Sequence, residues 1–542
     1  MCDPLLPKQS AWRRPALLLF VVACGASWFA FTGNYVADDS YFYLVIARNL
    51  VTQGTQTFSG LFPTNGVHPL WQYLLAGYTW IIYHLNPTWI ESLAYAVPLS
   101  TALLGIGAWQ FSKVCERFEL NPLWLVYLPA GYLSVLGVLY SEAHTLYAAL
   151  AVLTRISLCG LLERKFGPVY AAIAAAAVFL ARLDSAMLLG CYGLWLLATT
   201  RRIKPAAIFA SVFLALSLPY VALNVVWFGG PMPISGWMKS SFPRVFLKGI
   251  AKLGTLMSTL CGYSLVFGWL PIGLTGLILP WARRASAETR HFIVVFLGGS
   301  VLHLAYVALF TRSHTDWYWY YVIPVLLGGF ACALAQRQWQ LNRRPPGAAS
   351  RRGQQVHWFL AILFACAWLG ASSQRWRTPQ PSVQAQPILQ YLNDHGIEGA
   401  TVMVSDWPGI LAWQTSNHIV AADMLTGYRP LYEAMRKEPN SLAYLENTFE
   451  KLGRPLRLVI YAEGTAWLTP DEDLKGITYY DPRTYPELVP IGRMNVSQGP
   501  ALVVGRRDAP KCIIWDLATQ SGSTVPSATL PGSQAASSSA SE

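Results

Sequence analysis

Two adjacent carboxylates, Asp38 and Asp39, stand in "NYVADDSYFYLVIARNL", a few residues beyond an apolar run long enough to cross a membrane. Acids in a first helical turn are favoured by the macrodipole and by capping, so a helix start at "DDSYFYLVIARNL" accounts for at least one of them. Two chemical readings stand beside it. One carboxylate takes a proton from an attacking hydroxyl, or the pair helps hold a divalent cation, Mg2+ or Mn2+, because hard cations prefer oxygen ligands. A metal bound here would draw on Asp38, Asp39 and Glu142.

Further candidates lie downstream. Glu142 in "LYSEAHTLY" falls where one apolar run ends and the next begins, which also suits an ordinary loop acid beside a serine cap. Arg182 and Asp184 in "ARLDSA" sit at the tip of a short hairpin, where they either pair with each other or meet a phosphate and orient a neighbour. Lys239 follows the Gly- and Pro-rich turn "FGGPMPISGWMK", and Arg244, Lys248 and Lys252 follow it. Arg312, His314 and Asp316 in "TRSHTDWYWYYVIP" stand among aromatics that form either an interfacial belt or a surface for a sugar. His68 opens "HPLW" after "TNG".

These residues are set in a chain of 542 residues with 54% hydrophobic and 13% charged residues and a mean hydropathy of +0.34. Repeated apolar runs, each able to span about 30 Å of hydrocarbon, make it a polytopic membrane protein. The net charge of +12 does not imply nucleic acid, because Lys and Arg occur in short clusters between apolar runs, as orientation signals do. The nine cysteines form no CxxC pattern and lie mostly within apolar segments. The N-terminal "VVAC" resembles a lipoprotein cleavage box, but cleavage at Cys24 would halve the first apolar run, so an uncleaved span is expected.

The clearest predicted spans are 15–33, 89–111, 122–140, 143–162, 206–228, 256–281, 291–310, 319–336 and 356–372. Residues 68–84, rich in Trp and Tyr, suit an interfacial or re-entrant helix within a long first outer loop, 34–88. Residues 168–199 read as a short hairpin. With the N-terminus inside, the basic clusters at Lys113 and Arg117, at Arg201 and Arg202, and at Arg283 and Arg284 all fall on the inner side. The expected fold is an all-α polytopic membrane domain of about eleven transmembrane helices over residues 1–374. A small extracytoplasmic α/β domain follows over 375–516, where strand-like "TVMVS" and "RLVIYA" appear, and then a disordered Ser- and Ala-rich tail over 517–542.

In that layout Asp38, Asp39, Glu91, Glu142, Asp184 and Asp316 all reach the outer side. Acids near a bilayer are costly unless paired, hydrated or functional. Their gathering on one face favours chemistry at the membrane surface.

The Asp pair with "GTQTFSGLFPTNGVHPLW", the later acid, the "ARLD" hairpin and the "FGGPMPISGWMK" turn together resemble the GT-C superfamily of integral-membrane glycosyltransferases. The likeness covers roughly residues 10–340 and is nearest to bacterial members that use polyprenyl-phosphate sugars, the mannosyl-, aminoarabinose- and arabinofuranosyl-transferases. Where many such relatives read Gly-Met-Glu this chain has Tyr140, Ser141 and Glu142, and where their hairpin carries Arg-Pro-Glu it has Arg182, Leu183 and Asp184.

The resemblance implies inverting displacement. An acceptor hydroxyl, deprotonated by Asp38 or Asp39, attacks the anomeric carbon and polyprenyl phosphate leaves toward Lys239, Arg182 or Arg312. The acceptor would be a glycan, lipid or protein at the outer face of the bacterial cytoplasmic membrane. A transporter or flippase of lipid-linked glycans, expected to carry charges along a central pathway, and a noncatalytic envelope-assembly protein are the competing classes.

Overall fold

The computed structural model describes residues 17–22, 24–25, 38–135, 142–161, 167–200, 202–240, 242–243, 245, 264–278, 287–310, 318–343, 381–404, 407–421, 426–435, 441–462, and strands at 477–478, 493–494, 501–504 and 512–516. The predicted span 356–372 and tail 517–542 lie outside the described residues.

Helix α1, Asp38–Gln53, begins at the acid pair, and Ser40–Ala47 are all buried. A loop follows, pinned to α1 by Asn49, whose side-chain amide donates to the carbonyls of Thr57 (2.9 Å) and Phe58 (3.3 Å). Helix α2, Pro69–Leu85, starts at a proline preceded by extended His68, because the proline ring excludes the helical region for its predecessor. Its 17 residues reach about 25 Å, short of the hydrocarbon thickness. It turns Tyr73, Trp80, Ile81 and Leu85 outward and Trp71, Gln72, Leu75 and Thr79 inward, so its outward face is as apolar as its buried one, which suits a lipid boundary.

The run predicted to span from residue 89 instead begins at Val97. Two short 3-10 turns, Pro87–Glu91 and Leu93–Ala96, precede it, with the side chains of Asn86 and Ser92 accepting from the first free N–H groups. Glu91 therefore lies in a turn rather than in the first turn of the span. Helix α3, Val97–Phe118, packs against α5, Glu142–Arg155; between them, in chain order, lies α4, Leu128–Val135. The hairpin expected at 168–199 is present as α6, Pro168–Ala181, and α7, Ala186–Thr200, joined by a 3-10 turn at Leu183–Ser185.

Helix α8, Ile203–Phe228, is the clearest membrane element. It is 26 residues long with a window hydropathy of 2.1, and 11% of that window is buried in the protein. Apolar on every side and left uncovered by its own chain, it has the length and composition of a helix that lies in lipid. Helix α9, Ile234–Lys239, follows the glycine turn. Then come α10, Leu270–Ile278, α11, Ala287–Phe310, and α12, Val322–Arg343. Among the described residues, α8 and Phe292–Phe310 are long and apolar enough to cross a membrane, and the other apolar helices are shorter.

The polar ends of the bundle differ. Glu119 meets Arg337 at 3.2 Å, and Asn121 and Trp124 both donate to Gln336, at one end. Glu142, Arg182 and Asp184 gather at the other.

The C-terminal region is α/β. Helix α13, Pro381–Asp394, leads into a five-stranded sheet of order β2-β1-β3-β7-β6. Strands β1, Thr401–Val404, β2, His418–Ala421, and β3, Leu456–Ala462, are parallel, and β7, Cys512–Asp516, runs antiparallel to both its neighbours, β3 and β6, Ala501–Val504. Strands β4, Ile477–Thr478, and β5, Arg493–Met494, pair separately. Helices α14, Pro408–Gln414, α15, Arg429–Met435, and α16, Ser441–Lys451, accompany the sheet. Strand β1 is buried throughout, as expected of a central parallel strand.

Candidate active site

Consecutive helical residues point about 100° apart, so adjacent carboxylates at a helix start cannot face the same partner. In α1 this separates the pair. Asp38 turns to the C-terminal region and accepts the backbone N–H groups of Gly409 (Oδ2, 3.2 Å) and Ile410 (Oδ1, 2.9 Å) in the first turn of α14. Nine to ten residues on, Arg48 donates to the carbonyls of Ala412 (2.9 Å) and Trp413 (3.4 Å) at the far end of α14. An anion at the N-terminus and a cation at the C-terminus of one short helix is the arrangement its dipole favours.

Asp39 is exposed, yet surrounding protein displaces enough water to raise its carboxyl above the ordinary aspartate range, with Lys239 pulling it back and Glu142 adding to the rise. Lys239, at the end of α9, is half-buried and donates to the Tyr320 hydroxyl at 3.4 Å.

Behind Asp39 lies a buried ionic cluster. Arg182, 3% exposed, makes a two-pronged pair with Asp184 (Nη2 to Oδ2, 2.7 Å; Nε to Oδ1, 3.1 Å). Its Nη1 meets Glu142 Oε1 at 2.8 Å, and its guanidinium lies 4.8 Å from the Tyr320 ring centre. Tyr43 donates its hydroxyl to Glu142 Oε2 at 3.2 Å. His68 Nε2 stands 3.8 Å from Glu142 Oε1, and His303 Nδ1 stands 3.9 Å from Asp184 Oδ2.

Burial opposes ionisation of both carboxyls, but Arg182 outweighs it at Asp184, which is held well below the usual carboxylate range. Glu142 is also lowered: burial pushes it up, and His68 and Arg182 pull it down. Burial keeps the His68 imidazole below its ordinary range and therefore neutral near pH 7. A neutral imidazole cannot be the cation that keeps Glu142 ionised, so that role belongs to Arg182.

Two sequence motifs meet beside this cluster. Asn65 of "TNGVHPLW" accepts the N–H of Ile234 at 3.0 Å and donates to Asn224 at 3.1 Å, tying the loop between α1 and α2 to the "GGPMPISGWMK" turn. Gly229 adopts φ 71°, ending α8 in the left-handed conformation that glycine adopts without strain. Against the adjoining residues, Arg429 of α15 stacks 4.6 Å from the Trp237 ring centre. The chain turn that delivers Lys239 is thereby held by both regions of the protein.

The structure thus brings Asp39, Glu142, His68, Arg182, Asp184 and Lys239 to one end of the bundle. It directs Asp38 away from them, and Arg182 and Asp184 adopt the mutual pairing that was one of the two readings of the hairpin. Arg312, His314 and Asp316, with Arg244, Lys248 and Lys252, lie outside the described residues. Tyr43, His303 and Tyr320 join the site without having been singled out. A lone histidine in an apolar run is a detectable signal, since an ionisable group at that depth is rarely idle, whereas Tyr43 and Tyr320 are lost among neighbouring aromatics.

Of the three residues expected to hold a divalent cation, Asp38 and Glu142 are already engaged, and Asp39 stands apart from Asp38 on the helix. Asp38 accepts two N–H groups, Glu142 accepts a guanidinium and a phenol, and among the described residues no three His, Cys, Asp or Glu side chains converge as metal ligands would.

No family model and no curated protein matches the chain. Among solved structures it is similar to the apo oligosaccharyltransferase of Archaeoglobus fulgidus, with 13% identity, a TM-score of 0.46, and coverage of 83% of this chain and 70% of that one. It is also similar to the arabinofuranosyltransferase AftD from Mycobacteria, with 13% identity, a TM-score of 0.39, and coverage of 93% of this chain and 39% of that one. The chain thus spans about two fifths of that arabinofuranosyltransferase. These likenesses are too distant to carry chemistry across.

Proposed function

We propose that this chain is an integral-membrane glycosyltransferase that moves a sugar from a polyprenyl-phosphate donor to an acceptor hydroxyl at the outer face of the bacterial cytoplasmic membrane. The observation that carries the reading is Asp39: a solvent-open carboxylate beside the buried ionic cluster, raised above the ordinary aspartate range and within electrostatic reach of a cation, Lys239. A base poised nearer neutrality than an ordinary aspartate takes a proton more readily from a reacting hydroxyl.

In the proposed reaction the acceptor oxygen gives its proton to the Asp39 carboxylate and forms a bond to the anomeric carbon from the face opposite the leaving group. The anomeric carbon–oxygen bond to phosphate breaks, and the phosphate departs with the electron pair. Lys239, steadied by Tyr320, meets that charge in a site where preorganised positive charge counts for more than in water. Arg182, saturated by Glu142 and Asp184, holds the wall of the site rather than the phosphate. Arg312 toward the phosphate, and His314 and Asp316 toward the sugar, complete the proposed assignments. No step needs a covalent intermediate or a metal.

The test is sugar transfer in isolated membranes. Asp39→Asn is expected to lower transfer by about two orders of magnitude or more at unchanged protein level, the scale of a lost general base, while Asp38→Asn retains more than a tenth of it. Full transfer by Asp39→Asn overturns the assignment. Mass spectrometry of envelope glycans and glycoproteins with and without the gene identifies donor sugar and acceptor together.

A further inference from the structure

Between α1 and the C-terminal region lies a recess of about 540 Å3, on the side of α1 away from the ionic cluster. Its volume falls within the range of ligand-binding clefts. We propose that it is a subsite for an uncharged glycan, occupied by the acceptor chain.

The lining supports a polyhydroxylated, uncharged ligand. Half of its lining residues carry amides or hydroxyls; Asn49, Thr52, Ser59, Thr415 and Asn417 are engaged within the protein, whereas Gln53, Gln414 and Ser416 are exposed to it, and such groups both donate and accept, as sugar hydroxyls require. Its charged members, Arg48 and Glu91, are one of each sign, so the recess carries no net positive charge to select a phosphate, and Arg48's donors are taken up by the carbonyls of α14. Trp413, held by the Arg48 guanidinium 4.9 Å from its ring centre, gives the recess a fixed aromatic wall.

An extended peptide fits less well. It would need an open strand edge to pair with, and the edge strand beside the recess, β2, is covered: Ile419, Val420 and Ala421 are 0%, 6% and 3% exposed.

The position connects the recess to the chemistry. Arg48 follows Asp39 by nine residues on one helix, about 14 Å along its axis, a distance a short oligosaccharide spans. Because the recess opens on the side of α1 away from the ionic cluster, an acceptor chain seated in it would pass around α1 to bring its terminal hydroxyl to Asp39. The meaning of the subsite rests on the glycosyl-transfer reading, but its measurement does not.

The experiment measures binding of α-mannotriose, maltotriose and an α-arabinofuranosyl trisaccharide to the full chain in lipid nanodiscs, with the tripeptide Gly-Ser-Gly as comparison. The wild type is expected to bind at least one trisaccharide saturably and not the tripeptide. Ser416→Trp, which fills the recess from an exposed position, and Gln414→Ala, which removes one hydrogen-bonding group, are expected to weaken that binding, the former by about tenfold or more. Binding of none of the three sugars, binding indifferent to both variants, or binding of the tripeptide in their place overturns the proposal. Asp39→Asn separates the two readings: it is expected to bind the trisaccharide as the wild type does while losing transfer. Retained transfer in that variant refutes the catalytic assignment and leaves the subsite to be judged on binding.

Discussion

At the scale of single residues, the site divides labour between groups that can change protonation and groups that are locked. Asp39 is open and its carboxyl is raised, so it is the group whose ionisation should govern rate. A base works only when deprotonated. Transfer should therefore fall as pH drops through the Asp39 pKa, with the acidic limb lying above the ordinary aspartate value of about 3.9. A pH–rate profile of transfer checks this, and a limb at or below that value contradicts it.

Arg182 behaves oppositely. It is the cation for two carboxylates with side-chain exposures of 8% and 21%, and removing one partner of a buried pair costs about 3–5 kcal/mol because the other charges stay buried. Arg182→Ala should therefore show a large fall in thermal midpoint. The double variant Arg182→Gln, Glu142→Gln should lose less than its two singles sum to, since the residues share one network. Strict additivity in thermal unfolding would show that the pair is uncoupled.

At the scale of elements, α1 is the joint of the molecule. Its first turn holds the N-terminal end of α14 through Asp38, its third holds the C-terminal end through Arg48, and the residue between these duties, Asp39, faces the candidate site. Gly409 allows this approach: a side chain there would come within 2.6 Å of the Asp38 carbonyl oxygen. Asp38→Ala leaves two donors without their carboxylate and should loosen the docking by about 1–3 kcal/mol, and Gly409→Ala should act in the same direction by steric overlap. Both variants should make the C-terminal region more sensitive to limited proteolysis. Wild-type resistance in both would show that the contact does not hold the two regions together.

At the scale of the whole molecule, orientation is the issue, because a polyprenyl-phosphate donor and an outer acceptor require the site and the C-terminal region on the same side. The ion pairs at the two ends of the bundle give usable markers. Thr52, at the end of α1, and Glu119, 57% exposed beside Arg337, are accessible positions at opposite ends. Thr52→Cys should react with a membrane-impermeant maleimide in intact cells, and Glu119→Cys only after the membrane is opened. The reverse pattern would put the site inside and remove the proposed donor.

Much of this organisation is local and hence readable from the chain alone. An apolar run of 26 residues ending in Gly-Gly becomes α8 whatever surrounds it, "ARLDSA" breaks a hairpin because its charges cannot continue an apolar helix, and acids open α1 because its unpaired N–H groups favour them. The start of α3 was not readable from hydropathy, because short side-chain-capped turns are as apolar as the helix they precede. The division between Asp38 and Asp39 is not local at all. It depends on Gly409 and Ile410, some 370 residues away, just as Arg182's commitment to Glu142 depends on a helix start forty residues before it. Residue type and spacing determined which groups could do chemistry and at which end of the helices they lie; only tertiary packing decided which are spent on holding the protein together, because a charge's partner is set by what folds against it.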